Sequence, residues 1–147
     1  MENQQTIKNK DTIRGLYENI LNNRKIELLN DLISSDYIGI RGEKGANAFT
    51  ETVNAVIAAF PDVKWTIEDI IAEGDKVMVR WSWVGTNTSP FRGIPATNQK
   101  TVDSAIAIYR FSEDKIEQAW IQGDRLGMLM QLGVVPKDVL SFSQTKK

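Results

Sequence analysis

Cysteine and histidine are both missing from this chain of 147 residues. Without Cys there is no disulfide framework, no thiol nucleophile and no thiolate-held metal. Without His, a Ser-His-Asp relay and imidazole metal sites fall away, along with the one side chain that titrates near neutrality unaided. Acid–base work near pH 7 is left to a carboxylate, Tyr or Lys with a displaced pKa, or to water. A charge excess is missing too: 18 basic and 19 acidic residues leave a net charge of −1, so nothing draws the chain to nucleic acid or an anionic membrane. No apolar run reaches the ~18–20 residues of a membrane span, and Met1 to Lys10 lacks the apolar middle of a signal peptide. The expectation is a cytoplasmic protein with no nucleic-acid or membrane partner. Gly74, Gly85 and Gly93 form no phosphate-binding or dinucleotide fingerprint, and no cofactor or metal is expected.

What is present suits one domain over residues 1–147, with a core at about 11–133 and a polar, frayed tail from Ser141. Ile13, Leu16, Tyr17, Ile20 and Leu21 make one apolar face of a helix from about Asp11 to Asn23, capped by Asp11 or Asn9. Ile26 to Ile33 suggests a second short helix, and Asp36 to Ile40 a brief strand or link. A third helix, capped by Asn47, buries Phe49, Val53, Val56, Ile57 and Phe60 and stops at Pro61. The period then changes to that of strands: Lys64 to Ala72, Lys76 to Thr88, Thr101 to Phe111 and Lys115 to Gly123. Short connections at Glu73-Gly74-Asp75 and Ser112-Glu113-Asp114 pair consecutive strands antiparallel. Ser89 to Lys100 is a loop, and Leu126 to Leu132 a last helix closed by Gly133 and Pro136. Helices followed by an antiparallel sheet give an α+β pattern. The strand from Lys76, roughly 40 Å at ~3.3 Å per residue, fits a strongly curved, cone-shaped sheet with the N-terminal helices on its concave face.

Several side chains are candidates for chemistry. By simple alternation Ile116, Gln118, Trp120, Gln122 and Asp124 share one face of the last strand. Asp124 reads either as the cap of the following helix or as a general acid/base at the end of an apolar pocket, where burial raises its pKa; the two roles are compatible. Trp81 and Trp83 share a face with Val79 and Asn87, either as core or as the wall of a cavity for a flat apolar ligand. Arg80, on the opposite face, suits an ion pair with Glu68 or Asp69. Tyr17 is a core residue or a donor into the pocket. The facing of Asp103 is not fixed by the pattern.

Phe60-Pro61-Asp62, Glu73 to Trp81, Gly85-Thr86-Asn87, Phe91 to Thr97, Ile106 to Phe111, Trp120 to Asp124, Leu126-Gly127 and Gln131-Leu132-Gly133 form an ordered set. It resembles the SnoaL-like polyketide (ester) cyclases, a branch of the nuclear transport factor 2-like superfamily. The resemblance implies a cone with a deep pocket, a homodimer or tetramer built through the outer sheet face, and a cofactor-free intramolecular aldol closure of a polyketide ester. It puts the catalytic aspartate at Asp124. It also marks two departures: Asn87 stands where the cyclases usually carry His after Gly-Thr, and Pro95-Ala96-Thr97-Asn98 replaces Pro-Pro-Thr-Gly. On this reading Asp124 and Asn87 are the catalytic candidates, while Tyr17, Trp81, Phe91, Trp120 and Gln122 contact a small apolar substrate. The alternatives are a ligand carrier using the same pocket and a dimerising scaffold whose pocket is filled.

Overall fold

The computed structural model describes residues 3–39 and 41–144. Helix α1 spans Gln4–Gly15 and starts earlier than the apolar pattern suggests. Asn3, not Asn9 or Asp11, is its cap, accepting the Thr6 backbone N–H at 2.9 Å. Polar Thr6 and Asn9 are buried on the helix, which is why hydrophobic periodicity misses this first turn. The chain continues as a wider π-helical turn, Leu16–Leu21, with Leu16, Tyr17, Ile20 and Leu21 all buried; such turns recur at functional sites. A 3₁₀ turn at Ile26–Leu28 runs into α2, Leu29–Leu32. Over Asp36 to Ile40, where a brief strand or link was expected, the described residues form a link with one isolated bridge, Ile38 to Lys44, and Ile40 lies outside the described residues. Helix α3, Ala46–Ala59, starts after Gly45 at φ 84° with no side-chain cap; Asn47 lies inside it.

Four strands, β1 (Lys64–Glu73), β2 (Lys76–Thr86), β3 (Lys100–Ser112) and β4 (Lys115–Gly123), form one antiparallel sheet in the order β1-β2-β3-β4. The β3–β4 turn places Glu113 and Asp114 at φ 49° and 65°, the primed geometry that matches strand twist. Asp114 is tethered there to α1 by Lys8 and Gln5, at 2.8 and 2.9 Å. Val77, Val79, Trp81, Trp83, Ala105, Ala107 and Tyr109 point inward and are buried. Arg80 points outward and pairs with Asp69 at 2.6 Å. The first helical segment is fastened to β1 by Asn22, which bonds both Trp65 backbone groups, and by Arg24, which donates to the carbonyls of Leu21, Pro61 and Val63. The Phe60-Pro61-Asp62 turn lies directly on β2. A Cβ at Gly85 would stand 2.9 Å from the Phe60 Cβ and 3.3 Å from the Val63 Cα, and Asp62 accepts both Thr86 donors, at 2.6 and 2.8 Å.

The last strand departs from simple alternation. Ile116 pairs with Phe111, but Gln118 pairs with Arg110, leaving Glu117 as an unpaired bulge. Each bulge shifts the pleat by one residue. Ile116 is therefore buried, whereas Gln118, Trp120 and Gln122 lie opposite outward-facing Arg110, Ile108 and Ile106. Ala119, Ile121 and Gly123 take the inner face instead. Helix α4, Arg125–Gln131, follows immediately, and a 3₁₀ helix at Lys137–Gln144 occupies the start of the expected frayed tail; residues 145–147 lie outside the described ones.

Candidate functional site

The concave sheet face and the helices enclose a cavity of about 210 Å³. Burial grades from one end to the other. At the closed end lie Tyr17, Tyr109 and Trp81, at 3%, 1% and 9% exposure. The Tyr17 and Tyr109 hydroxyls hydrogen-bond to each other, and burial, more than any other cause, pushes both phenols well above their usual range. Both therefore stay protonated at neutral pH. The Trp81 indole Nε1–H is buried and meets no acceptor in good hydrogen-bond geometry among the described residues, although it lies near enough to the Tyr17 hydroxyl to favour that phenol's ionised form. A buried donor without a well-placed acceptor costs up to about 1–3 kcal/mol, so it is a polar handle in a mostly apolar wall. Helix α3 adds Phe49, Val53 and Val56 to that wall.

Towards the open end the cavity is lined first by half-buried Asp103 and then by exposed Arg92, Arg125 and Ile121. Asp103 lies opposite Trp83 on the inner face of β3. Burial raises its pKa above that of a free aspartate; the neighbouring Asp124 charge raises it further, while a Ser104 backbone hydrogen bond and the Arg125 charge pull it back. Sequence reasoning left its facing open because β3 is apolar on both faces: Ala105, Ala107 and Tyr109 point in, but Val102, Ile106 and Ile108 point out and are exposed. Arg92 and Arg125 were not anticipated, the first sitting in a loop and the second at a helix start.

The sequence-derived candidates separate into two groups. Tyr17, Trp81 and Phe91 line the cavity. Asp124, Asn87, Trp120 and Gln122 do not. The Asp124 carboxylate is exposed and accepts the Gly127 N–H at 2.9 Å, capping α4. Gly127 permits this, since a Cβ there would collide with that carboxylate. Asn87 is fully buried, but its side chain is spent on the 88–98 loop: Nδ2 donates to the Ser89 carbonyl at 2.8 Å, and Oδ1 accepts from Thr97 N and Oγ1 at 2.9 and 3.1 Å. It positions the loop that carries Phe91 and Arg92. Trp120 and Gln122 stand on the outer face because of the Glu117 bulge. No group of three or more Asp or Glu among the described residues is placed to hold a metal, and no described helix is long and apolar enough to cross a membrane.

A family model described as SnoaL-like polyketide cyclase matches residues 11–132. No curated protein matches. Among solved structures, IdmH, a candidate polyketide cyclase from Streptomyces antibioticus, is 30% identical, with 86% of this chain and 99% of that one covered and a TM-score of 0.72. TsrD from Streptomyces laurentii is 21% identical, covers 92% and 100%, and has a TM-score of 0.81. AclR, a candidate hydroxylase from Streptomyces galilaeus, is 21% identical, covers 92% and 93%, and has a TM-score of 0.79. The architecture is the nuclear transport factor 2-like α+β cone.

Proposed function

Because this chain belongs to the SnoaL-like polyketide cyclase family, we propose that it performs cofactor-free acid–base chemistry, an aldol cyclisation or isomerisation, on an apolar carbonyl compound held in the cone. The observation that carries this reading is the pairing of a half-buried carboxylate, Asp103, with a buried donor that lacks a well-placed acceptor, Trp81 Nε1–H, on one cavity wall. Trp81 lies opposite Ala105, two residues along β3 from Asp103. The backbone positions of such diagonal neighbours are about 7–8 Å apart, so both side chains serve the same stretch of inner wall.

In this arrangement the Asp103 carboxylate takes the proton from the carbon next to the carbonyl. Negative charge moves to the carbonyl oxygen, where Trp81 Nε1–H donates to it; a donor already fixed in a dry wall needs no reorganisation as charge develops. The enolate carbon attacks a second carbonyl of the same molecule, and protonated Asp103 returns the proton to the new alkoxide. Partial burial suits Asp103 to this, since a carboxylate with a raised pKa is a stronger base than one in water. Asp124, engaged in the α4 cap, is not needed for any step.

Hydrogen–deuterium exchange of 1-tetralone in D₂O, followed by NMR, tests the assignment. Wild-type protein accelerates exchange at C2, Asp103→Asn lowers the accelerated rate 10²–10⁴-fold, and Asp124→Asn leaves it unchanged. Full activity in Asp103→Asn removes Asp103 from the mechanism. A carrier without turnover is the second reading, favoured by the commitment of Asn87 and Asp124 to structural hydrogen bonds; on that reading neither wild type nor variants accelerate exchange. A homodimer through the outer sheet face belongs to the same proposal, supported by exposed Val102, Ile106, Ile108 and Trp120 on β3 and β4.

A further inference from the structure

Two arginines at the cavity mouth have no counterpart in the reaction above. Arg92 and Arg125 both line the cavity, and neither forms an ion pair among the described residues. Each occupies a place that local physics disfavours. Arg92 has φ 49°, followed by Gly93 at 84°, in a tight turn closed by reciprocal Phe91–Ile94 backbone bonds of 2.9 Å; a side chain other than Gly, Asn or Asp is uncommon there. Its guanidinium carbon is held 5.3 Å from the Phe91 ring centroid, and Phe91 is buried in the cavity wall. Arg125 opens α4, next to backbone N–H groups that favour an acidic residue. Burial and the neighbouring charges of Arg125 and Arg41 all act against the charge on Arg92. Of the nearby carboxylates, Asp124 is engaged by Gly127 N–H and Glu43 by Arg41 N–H, while Asp103, whose charge interacts with that of Arg125, makes no ion pair with either arginine among the described residues. Local rules broken twice at one opening point to selection for function rather than stability.

We propose that this opening is an anion site, so that the protein selects apolar compounds bearing a carboxylate, which Arg92 and Arg125 hold at the mouth while the apolar body fills the cone. The planar, five-donor guanidinium suits bidentate capture of a carboxylate. This rests on the cavity reading above but not on Asp103 as catalyst.

The test uses two fluorescent probes of one skeleton: 1-anilinonaphthalene-8-sulfonate, which is anionic, and N-phenyl-1-naphthylamine, which is neutral. Wild-type protein binds the anionic probe about tenfold more tightly. In Arg92→Gln/Arg125→Gln, checked for wild-type circular dichroism, that preference disappears while neutral-probe affinity stays within about twofold; Arg92→Lys/Arg125→Lys retains most of it. 2-Naphthoate displaces the bound anionic probe, whereas inorganic phosphate alone does not. Equal affinity for the two probes in wild type, or an anion preference unchanged by the Gln pair, overturns the anion site and leaves the cavity standing. Displacement by phosphate alone overturns the carboxylate assignment. Failure of both probes to bind wild type sinks the cavity reading and this inference together, and binding of the neutral probe alone overturns the anion site.

Discussion

Replacing Asn87 by Ala separates a structural role from a catalytic one at the position where the family resemblance places a reacting group. Asn87 is fully buried, and three of its side-chain hydrogen bonds have good geometry: to the Ser89 carbonyl at 2.8 Å, and from Thr97 N and Oγ1 at 2.9 and 3.1 Å. A fourth, to the Ala59 carbonyl at 3.4 Å, is too long to add much. Each buried hydrogen bond contributes about 1 kcal/mol, so Asn87→Ala destabilises the protein by about 3 kcal/mol. For a chain of this size that lowers the melting temperature by roughly 6–12 °C. Thermal and urea denaturation followed by circular dichroism measure the change. A loss below about 1 kcal/mol, together with a collapse of turnover, would refute the reasoning and return Asn87 to the reaction. Asn87→Asp adds a second check. It keeps an acceptor for Thr97 but loses the donor to Ser89 and buries a charge against that carbonyl, so its deficit is larger at neutral than at acidic pH.

Three further outcomes follow from other contacts. Gly85→Ala costs about 1–3 kcal/mol in urea unfolding, because its new Cβ would stand 2.9 Å from the Phe60 Cβ and 3.3 Å from backbone at Val63; wild-type stability would show that this turn can move. The raised pKa of Asp103 means the fold favours its protonated form. That contribution is full at pH values below the ordinary aspartate pKa of ~3.9 and is lost as pH rises through the raised value. Asp103→Asn, neutral throughout, is therefore more thermostable than wild type at pH 7, with the gap closing below about pH 4; an unchanged gap across that range would rule out Asp103 as its source. Trp120→Glu, placing a charge on the exposed outer face, gives monomers in sedimentation velocity where wild type gives dimers, and a monomeric wild type would end the dimer proposal.

The elements and their order were legible because the first and third helical segments bury apolar residues at helical spacing, β2 and β3 bury alternate residues, and short turns join the strands. The exceptions have particular causes. The first turn of α1 is held by the Asn3 cap and by buried polar Thr6 and Asn9, which a hydrophobic pattern does not register. Trp81 and Tyr17, which the pattern left as core or cavity wall, both point inward and line the cavity; β2 carries no bulge against β3, so its alternation could be read directly. Trp120 and Gln122 were expected to contact the substrate and instead face outward, because Glu117 shifts the pleat by one residue, and nothing in Lys115-Ile116-Glu117-Gln118 distinguishes a bulged Glu from a paired one. Asp103 was unreadable for a different reason: with Val102, Ile106 and Ile108 exposed, the outer face of β3 is as apolar as the inner one, so hydrophobicity does not say which way the carboxylate points.

That same bulge settles what the last strand can contribute to chemistry. Because the pleat has shifted, β4 presents Ala119, Ile121 and Gly123 to the interior, none of them ionisable, and the strand then ends in a carboxylate that caps α4. The polar groups on the wall come from the other elements, among them Trp81 from β2, Asp103 and Tyr109 from β3, Tyr17 from the π-helical turn, Arg92 from the loop fastened by Asn87, and Arg125 from the start of α4. They are ordered by burial, with an uncharged donor at the closed end, a half-buried carboxylate between, and two exposed guanidinium groups at the opening. A ligand complementary to that order has a carbonyl oxygen at its inner end, an acidic C–H beside it, an apolar body and an anionic outer end.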